Sequence, residues 1–153
     1  MVKGFDFGLS TSGDLVLNPE TWDIQAKTDN NLRLQLAYDR IKSVTTNWFI
    51  DGIGANLEAL IGKPCNEDTA EAGKELIMHQ LTFDSLWGTD EIFIKATIVD
   101  MINITYNVYF KIKDISTEDT YSYELVAEID MVKGVNIKYG WEPKYDRIKY
   151  KNL

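Results

Sequence analysis

The hydrophobic period of the chain changes about half-way along its length. In residues 31–45 and 68–83, apolar side chains recur every three or four positions, the spacing of one helix face. The pattern predicts two amphipathic helices. Asp29 or Asn30 is placed to cap the first, and Asp68 and Glu71 have the spacing of a capping box for the second. On the first helix the side predicted to be polar carries Arg33, Asp39, Arg40 and Lys42.

After Gly88 the period falls to two. Residues 92–98, 104–112 and 121–131 each alternate apolar with polar side chains, as strands do when one face of an antiparallel sheet is covered. A break in the phase of alternation predicts a turn at residues 100–103, and residues 114–119 form the next loop. The pattern therefore predicts a three-stranded meander.

Turns and glycines organise the rest of the chain. Residues 5–26 are predicted to be extended, with Leu15 and Leu17 on one strand of a hairpin, a turn at Pro19 and a return strand beginning at Trp22. Residues 50–64 are a glycine-rich connection with one helical turn, which we expect Asn56 to cap. Because helices and strands are segregated, the sequence predicts an α+β fold. Residues 1–132 form its domain, and residues 133–153 form a C-terminal arm.

Charge separates this arm from the domain. Residues 1–132 carry 10 Lys and Arg against 22 Asp and Glu, a net charge of −12. Residues 133–153 carry 6 Lys and Arg against 2 acids, a net charge of +4. A basic arm indicates a partner of opposite sign, and the acidic domain favours an acidic protein face over nucleic acid.

The arm also carries the aromatic side chains that most often anchor protein interfaces. The predicted interface residues are Tyr139, Trp141, Lys144, Tyr145, Arg147, Lys149 and Tyr150. Two alternatives remain open: the arm folds back on its own sheet, or its aromatic rings stack on single-stranded nucleic acid.

Catalytic chemistry finds little support in the sequence. Asp90 and Glu91 are adjacent, so on a strand they point to opposite faces and do not flank a substrate as a glycosidase pair does. His79 and Cys65 have no partners at ligand spacing, although a helix N-terminus lowers the pKa of a nearby thiol. Gly52-Ile53-Gly54 lacks the Lys-Ser/Thr of a phosphate loop. We expect no enzyme activity, no cofactor and no metal site. No apolar run approaches the ~20 residues that span a bilayer, so no membrane partner is expected.

Several segments, taken in order, resemble the small gpW/gene 25-like baseplate wedge proteins of contractile phage tails, which are related to the XkdS-like proteins of defective prophages. The resemblance covers roughly residues 10–131. It rests on the strands from Glu91 to Asp130 and on Asp14-Leu15-Val16-Leu17, Asn31-Leu32-Arg33-Leu34-Gln35-Leu36 and residues 48–62, beginning Trp48-Phe49-Ile50-Asp51-Gly52. Many members carry a Glu-Pro-Arg triplet before the first meander strand. This chain has Gly88-Thr89-Asp90-Glu91-Ile92 there, so no residue role is carried over.

The resemblance implies a structural role in a virion tail baseplate assembled in the host cytoplasm. Such a protein joins the inner wedge and serves as the platform on which sheath subunits build by strand exchange. Its implied partners are other wedge proteins, the tail sheath protein and adjacent copies of itself around the tube. The alternatives are a tail-completion or adaptor protein, a lysozyme-like enzyme that degrades peptidoglycan, and a nucleic-acid-binding protein.

Overall fold

The computed structural model describes residues 5–7, 15, 17, 19–23, 26–43, 52–113, 120–139 and 150–151. In these ranges two α-helices pack on one face of an antiparallel sheet, so the fold is α+β, as predicted. The strands are β1 (Phe5–Phe7), β2 (Ala26–Thr28), β3 (Ile92–Ile98), β4 (Asn103–Lys113), β5 (Thr120–Asp130), β6 (Gly134–Tyr139) and β7 (Tyr150–Lys151). The helices are α1 (Asp29–Lys42) and α2 (Glu67–Thr82).

Helix α1 starts two residues before the predicted range and ends three residues before its predicted end. Its last turn is closed by the chain that follows. The Ser43 N–H and hydroxyl both donate to the Asp39 carbonyl, and the Ala55 N–H donates to the Arg40 carbonyl at 2.8 Å. Because a residue distant in sequence satisfies the Arg40 carbonyl, the apolar period alone does not locate the helix end.

Helix α2 is capped by Asn66 rather than by the predicted capping box. Asn66 has the extended backbone of an N-cap, and its side-chain oxygen accepts from the Thr69 N–H at 3.0 Å. Asp68 lies inside the first turn instead. There its negative charge suits the positive end of the helix dipole.

The main sheet is a meander of four strands in the order β3-β4-β5-β6, with the short β7 also paired to β5. The predicted three strands are present, and the predicted turn at residues 100–103 joins β3 to β4. The fourth strand, β6, lies within the segment predicted to be the arm. It forms because Gly134, at φ +113°, turns the chain back opposite Asp130, and because Ile137 is then buried against the core.

The core lies between the inner face of this sheet and the two helices. Its largest side chain, Trp87, is 1% exposed and lies 4.7 Å from the Phe110 ring between centroids. The other fully buried large residues are Tyr106, Ile41, Leu57, Leu60, Ile77, Leu81, Ile104, Leu125, Ile129 and Val108.

The N-terminal segment contains a strand pairing that was not predicted, whereas most of the predicted hairpin around Leu15 and Leu17 lies outside the described residues. β1 and β2 are antiparallel, with Phe5 opposite Thr28 and Phe7 opposite Ala26. Residues 19–21 form the predicted turn, but Trp22 has a φ of 63° and does not begin the return strand. A positive φ interrupts the extended backbone that a period of two assumes.

The glycine-rich connection contains the expected helical turn, a 3-10 helix at Leu57–Leu60. Asn56 does not cap it: its backbone is left-handed and its side chain makes no capping bond. Gly52 and Gly54 both have positive φ. The Gln80 side chain holds them, donating to the Gly52 carbonyl and accepting from the Gly54 N–H, each at 2.8 Å. This loop is a structural element clamped to α2.

Candidate functional site

Exposed apolar side chains concentrate on two neighbouring turns at one end of the sheet. We name this surface the turn tip, and define it as Ile98, Val99, Met101, Ile102 and Val132. Met101 is 89% exposed and Val132 is 76% exposed. The two turns are joined by a hydrogen bond of 2.7 Å from the Met131 N–H to the Ile102 carbonyl. Turns are ordinarily polar, and an apolar patch of this kind commonly marks a contact with another protein.

An aspartate holds each of these turns. The Asp100 carboxylate accepts from the Ile102 N–H and the Asn103 amide, both at 2.9 Å. The Asp130 carboxylate accepts from the Val132 N–H at 2.8 Å and the Lys133 N–H at 3.0 Å. These bonds from backbone and side-chain donors lower the pKa of both carboxyls below their usual range, so both are charged at neutral pH. The turn tip is therefore an ordered apolar surface flanked by negative charge.

The outer edge of β3 is the second surface. At the two ends of its pairing with β4, the Lys111 N–H donates to the Glu91 carbonyl and the Val99 N–H donates to the Asn103 carbonyl. Bonded and non-bonded pairs alternate along antiparallel strands. The odd-numbered residues 91–99 therefore bond β4. The N–H and C=O groups of Ile92, Ile94, Ala96 and Ile98 point outward.

The two halves of this edge differ in how deeply their residues are buried. Ile92 and Ile94 are buried, whereas Ala96 is half-buried and Ile98 is 39% exposed. Beside the uncovered half lies a groove of about 590 Å³. Its floor and walls are Ala96, Thr97, Ile98, Ala70 and the acidic residues Glu67, Asp68 and Glu71 of α2.

The predicted interface residues of the arm are placed only in part. Tyr139 ends β6 opposite Leu125, and Tyr150 begins β7 opposite Ser122, both on the same edge of β5. Trp141, Lys144, Tyr145, Arg147 and Lys149 lie outside the described residues. Only two residues of β5 lie between these two pairings, whereas ten residues of the chain connect β6 to β7. Both described ends of the arm thus pair with the chain's own sheet.

Two arginines of α1 depart from the sequence prediction, which placed them on the polar face. Both line a cleft of about 600 Å³ between α1 and residues 84–91. The Arg33 guanidinium stacks 3.9 Å from the Trp87 ring centroid and pairs with Glu91 at 3.0 Å. Arg40, 6% exposed, pairs with Asp84 at 3.0 Å and donates to the Gln80 and Phe83 carbonyls at the end of α2.

These pairs are long-range, and no periodicity in the sequence signals them. Each arginine is already neutralised by an acid and bonded to main-chain carbonyls. The two arginine ion pairs therefore tie α1 to the end of α2 and to the start of β3. Glu91 also accepts from the Gly88 N–H at 2.9 Å, which gives this carboxylate a structural role.

The remaining catalytic candidates are equally isolated. His79 is exposed on α2 and its ring lies 6.1 Å from the Phe83 ring. Desolvation, and then the Asp100 charge, raise the pKa of the Cys65 thiol, so the expected lowering by the helix N-terminus does not occur. Among the described residues, no group of three or more His, Cys, Asp and Glu side chains is placed to hold a metal ion.

Comparisons of the chain with protein-family models, curated proteins and solved structures give no match. The similarity to gpW/gene 25-like proteins thus stays a prediction from the sequence. Among the described residues, no helix has the length and apolar character needed to cross a membrane.

Proposed function

We propose that this protein is a structural component of a contractile-tail baseplate wedge. In this proposal it joins the inner baseplate and serves as the platform on which the tail sheath assembles by strand exchange. The turn tip carries the proposal, because it is an ordered apolar surface whose two turns are held by the carboxylates of Asp100 and Asp130. Such a surface suits permanent contact with a neighbouring subunit.

The energetics support contact through the tip. Full burial of one Val, Leu or Met side chain contributes about 1.5–3 kcal/mol. Val99, Met101 and Val132 are all more than half exposed, so most of that free energy is still available for docking. The aspartate bonds order both turns beforehand, which reduces the entropy lost on association.

The test is assembly in the presence of a tip variant. The chain is co-expressed with the genes that flank its own, and sedimented particles are examined by electron microscopy and mass spectrometry. Wild-type chain is expected in baseplates. Met101→Ser/Val132→Ser is expected to reduce incorporation roughly tenfold or more, since two anchoring side chains contribute upward of 1.4 kcal/mol together.

Trp22→Ser is the matched control, because Trp22 is 75% exposed but belongs to the N-terminal turn. It should assemble as the wild type does. Location at the head-proximal end of the tail would favour the adaptor alternative. Absence of the wild-type chain from every tail particle would overturn the proposal.

A further inference from the structure

We propose that the uncovered half of the β3 edge, at Ala96–Ile98, receives an extended basic segment of a neighbouring subunit as an added strand. The inference rests on the proposed function, since it specifies where strand exchange occurs on this protein and the charge of the segment exchanged.

The main-chain groups of the uncovered half of β3 are placed to pair with another strand. The N–H and C=O of Ala96 and Ile98 point away from β4, and within the described ranges no residue hydrogen-bonds them. A strand that adds here makes ladder bonds of the kind β4 already makes on the other side. Towards Ile92 and Ile94 the edge is buried, so an added strand has room only near the turn tip.

The groove beside this edge contacts the side chains of an added strand. Its floor at Ala96 and Ile98 is apolar and partly exposed, and its wall is the first two turns of α2. An added strand places every second side chain toward that wall, because side chains alternate between the two faces of a sheet. Only every second side chain of the incoming segment therefore contacts the groove wall.

Charge decides which side chains fit those positions. Glu67, Asp68 and Glu71 all line the groove, and none makes an ion pair within the described part of the chain. Glu67 and Asp68 also favour the helix dipole, but Glu71 lies beyond the first turn, where that effect has decayed. Three unpaired carboxylates facing one groove select Lys or Arg at every second position of the partner.

The magnitudes assign different roles to these contacts. An exposed ion pair contributes little to affinity on its own, so the carboxylates mainly discriminate between partners. The main-chain bonds and the burial of Ile98 supply the shared part of the affinity. A neutral strand would lose the ion pairs with these carboxylates. An acidic strand would also be repelled by them.

The probe is a fluorescent peptide with the sequence of residues 144–153, which has basic side chains at alternate positions 147, 149 and 151. A second peptide carries Glu at every Lys and Arg. Binding to the purified full-length chain is measured by anisotropy, and amide chemical shifts locate the site. We expect saturable binding of the basic peptide with shifts at Ala96–Ile98, and binding at least tenfold weaker for the acidic one.

Variants separate the backbone from the charge. Ala96→Pro removes an outward N–H and leaves the β3–β4 ladder intact, and it should abolish binding. Asp68→Lys/Glu71→Lys should weaken it at least tenfold. Glu75→Lys is the matched control, because Glu75 is exposed on α2 but does not line the groove. Folding of every variant is checked by its amide spectrum.

Three results would overturn the inference: no saturable binding, equal binding of the two peptides, or shifts confined to Tyr121 and Ser122, where β7 pairs with β5. The two proposals fail separately. A chain that enters baseplates but binds no basic strand overturns this inference alone. A chain that binds the strand but is absent from tails overturns the proposed function and leaves the groove chemistry supported.

Discussion

At Gly73, helix α2 closely approaches Tyr106 on strand β4 of the sheet. A Cβ placed there would overlap the Tyr106 hydroxyl, and it would lie 2.6 Å from the Tyr106 Cζ and 2.9 Å from the Leu60 Cδ1. Tyr106 is fully buried, and its hydroxyl donates to the Ala70 carbonyl at 2.9 Å. The Tyr106 ring thus occupies the space that a side chain at position 73 would need. Glycine at position 73 in turn leaves room for the Tyr106 ring.

Gly73→Ala is expected to destabilise the protein despite the better helix propensity of alanine. Propensity favours the change by about 1 kcal/mol, whereas overpacking at a buried site costs about 1–3 kcal/mol. Because the ring cannot withdraw without losing its hydrogen bond, we expect net destabilisation in urea unfolding. Glu75→Ala, at an exposed position of the same helix, should change stability by less than about 0.5 kcal/mol. A stabilised Gly73→Ala would contradict the close approach.

Tyr106 predicts a loss of stability at alkaline pH. Burial, with smaller contributions from Cys65 and Glu71, raises the pKa of Tyr106 to about 12. A raised pKa stabilises the folded state below the ordinary value of about 10, and this contribution is lost as pH rises through 12. Tyr106→Phe should be about 1 kcal/mol less stable at pH 7 for want of the hydrogen bond. Its deficit should shrink between pH 10 and 12 in unfolding curves. A constant deficit would show that the pKa of Tyr106 is the same in the folded and the unfolded state.

At the scale of elements, short turns and clamps position longer helices and strands. Gln80 ties the loop at Gly52–Gly54 to α2, and Arg40 ties α1 to the end of the same helix. Asp100 and Asp130 hold the two turns of the tip, one at the start of β4 and the other at the end of β5. The contacts of Gln80 and Arg40 join elements that are distant in sequence, whereas the two aspartates act within their own turns.

The aspartate turns predict a loss of stability in acid. Their pKa values are lowered by the backbone N–H groups they accept from, so their contribution is present above the ordinary value near 4 and is lost as pH falls below it. Wild-type melting temperature should decline on acidification below about pH 4. Asp100→Asn/Asp130→Asn should decline less steeply, measured by circular dichroism. Identical slopes for the two proteins would count against charged turns.

At the scale of the whole molecule, the boundary between domain and arm is the main revision. The sequence prediction put it at residue 133, but Gly134–Tyr139 forms a strand of the sheet and Ile137 is buried. Strand β6 therefore belongs to the same sheet as the strands of the domain. The basic, aromatic residues between β6 and β7 lie outside the described residues, so the interface role predicted from their composition stays a prediction.

Truncations separate these two roles. A chain ending at Tyr139 keeps β6 and should unfold cooperatively at nearly the wild-type urea concentration. A chain ending at Lys133 loses the burial of Ile137, worth about 1.5–3 kcal/mol, and the ladder on β5, so it should unfold much earlier. If the two chains are equally stable, β6 is not part of the folded sheet. The longer chain should also fail to enter baseplates, and its normal incorporation would show the arm dispensable.

The sequence by itself determined the class of the fold. Local period sufficed for α2, β3, β4 and β5, because a helix face or a strand face must be apolar wherever it meets a core. It also located the turn at residues 100–103, where the phase of alternation breaks. The tertiary structure decided what depends on distant partners: the ion pairs of Arg33 and Arg40, the glycine opposite Tyr106, and the pairing of β6 with β5. It also decided both proposed interaction surfaces, since an apolar tip and an open edge exist only once separate turns and strands have been brought side by side.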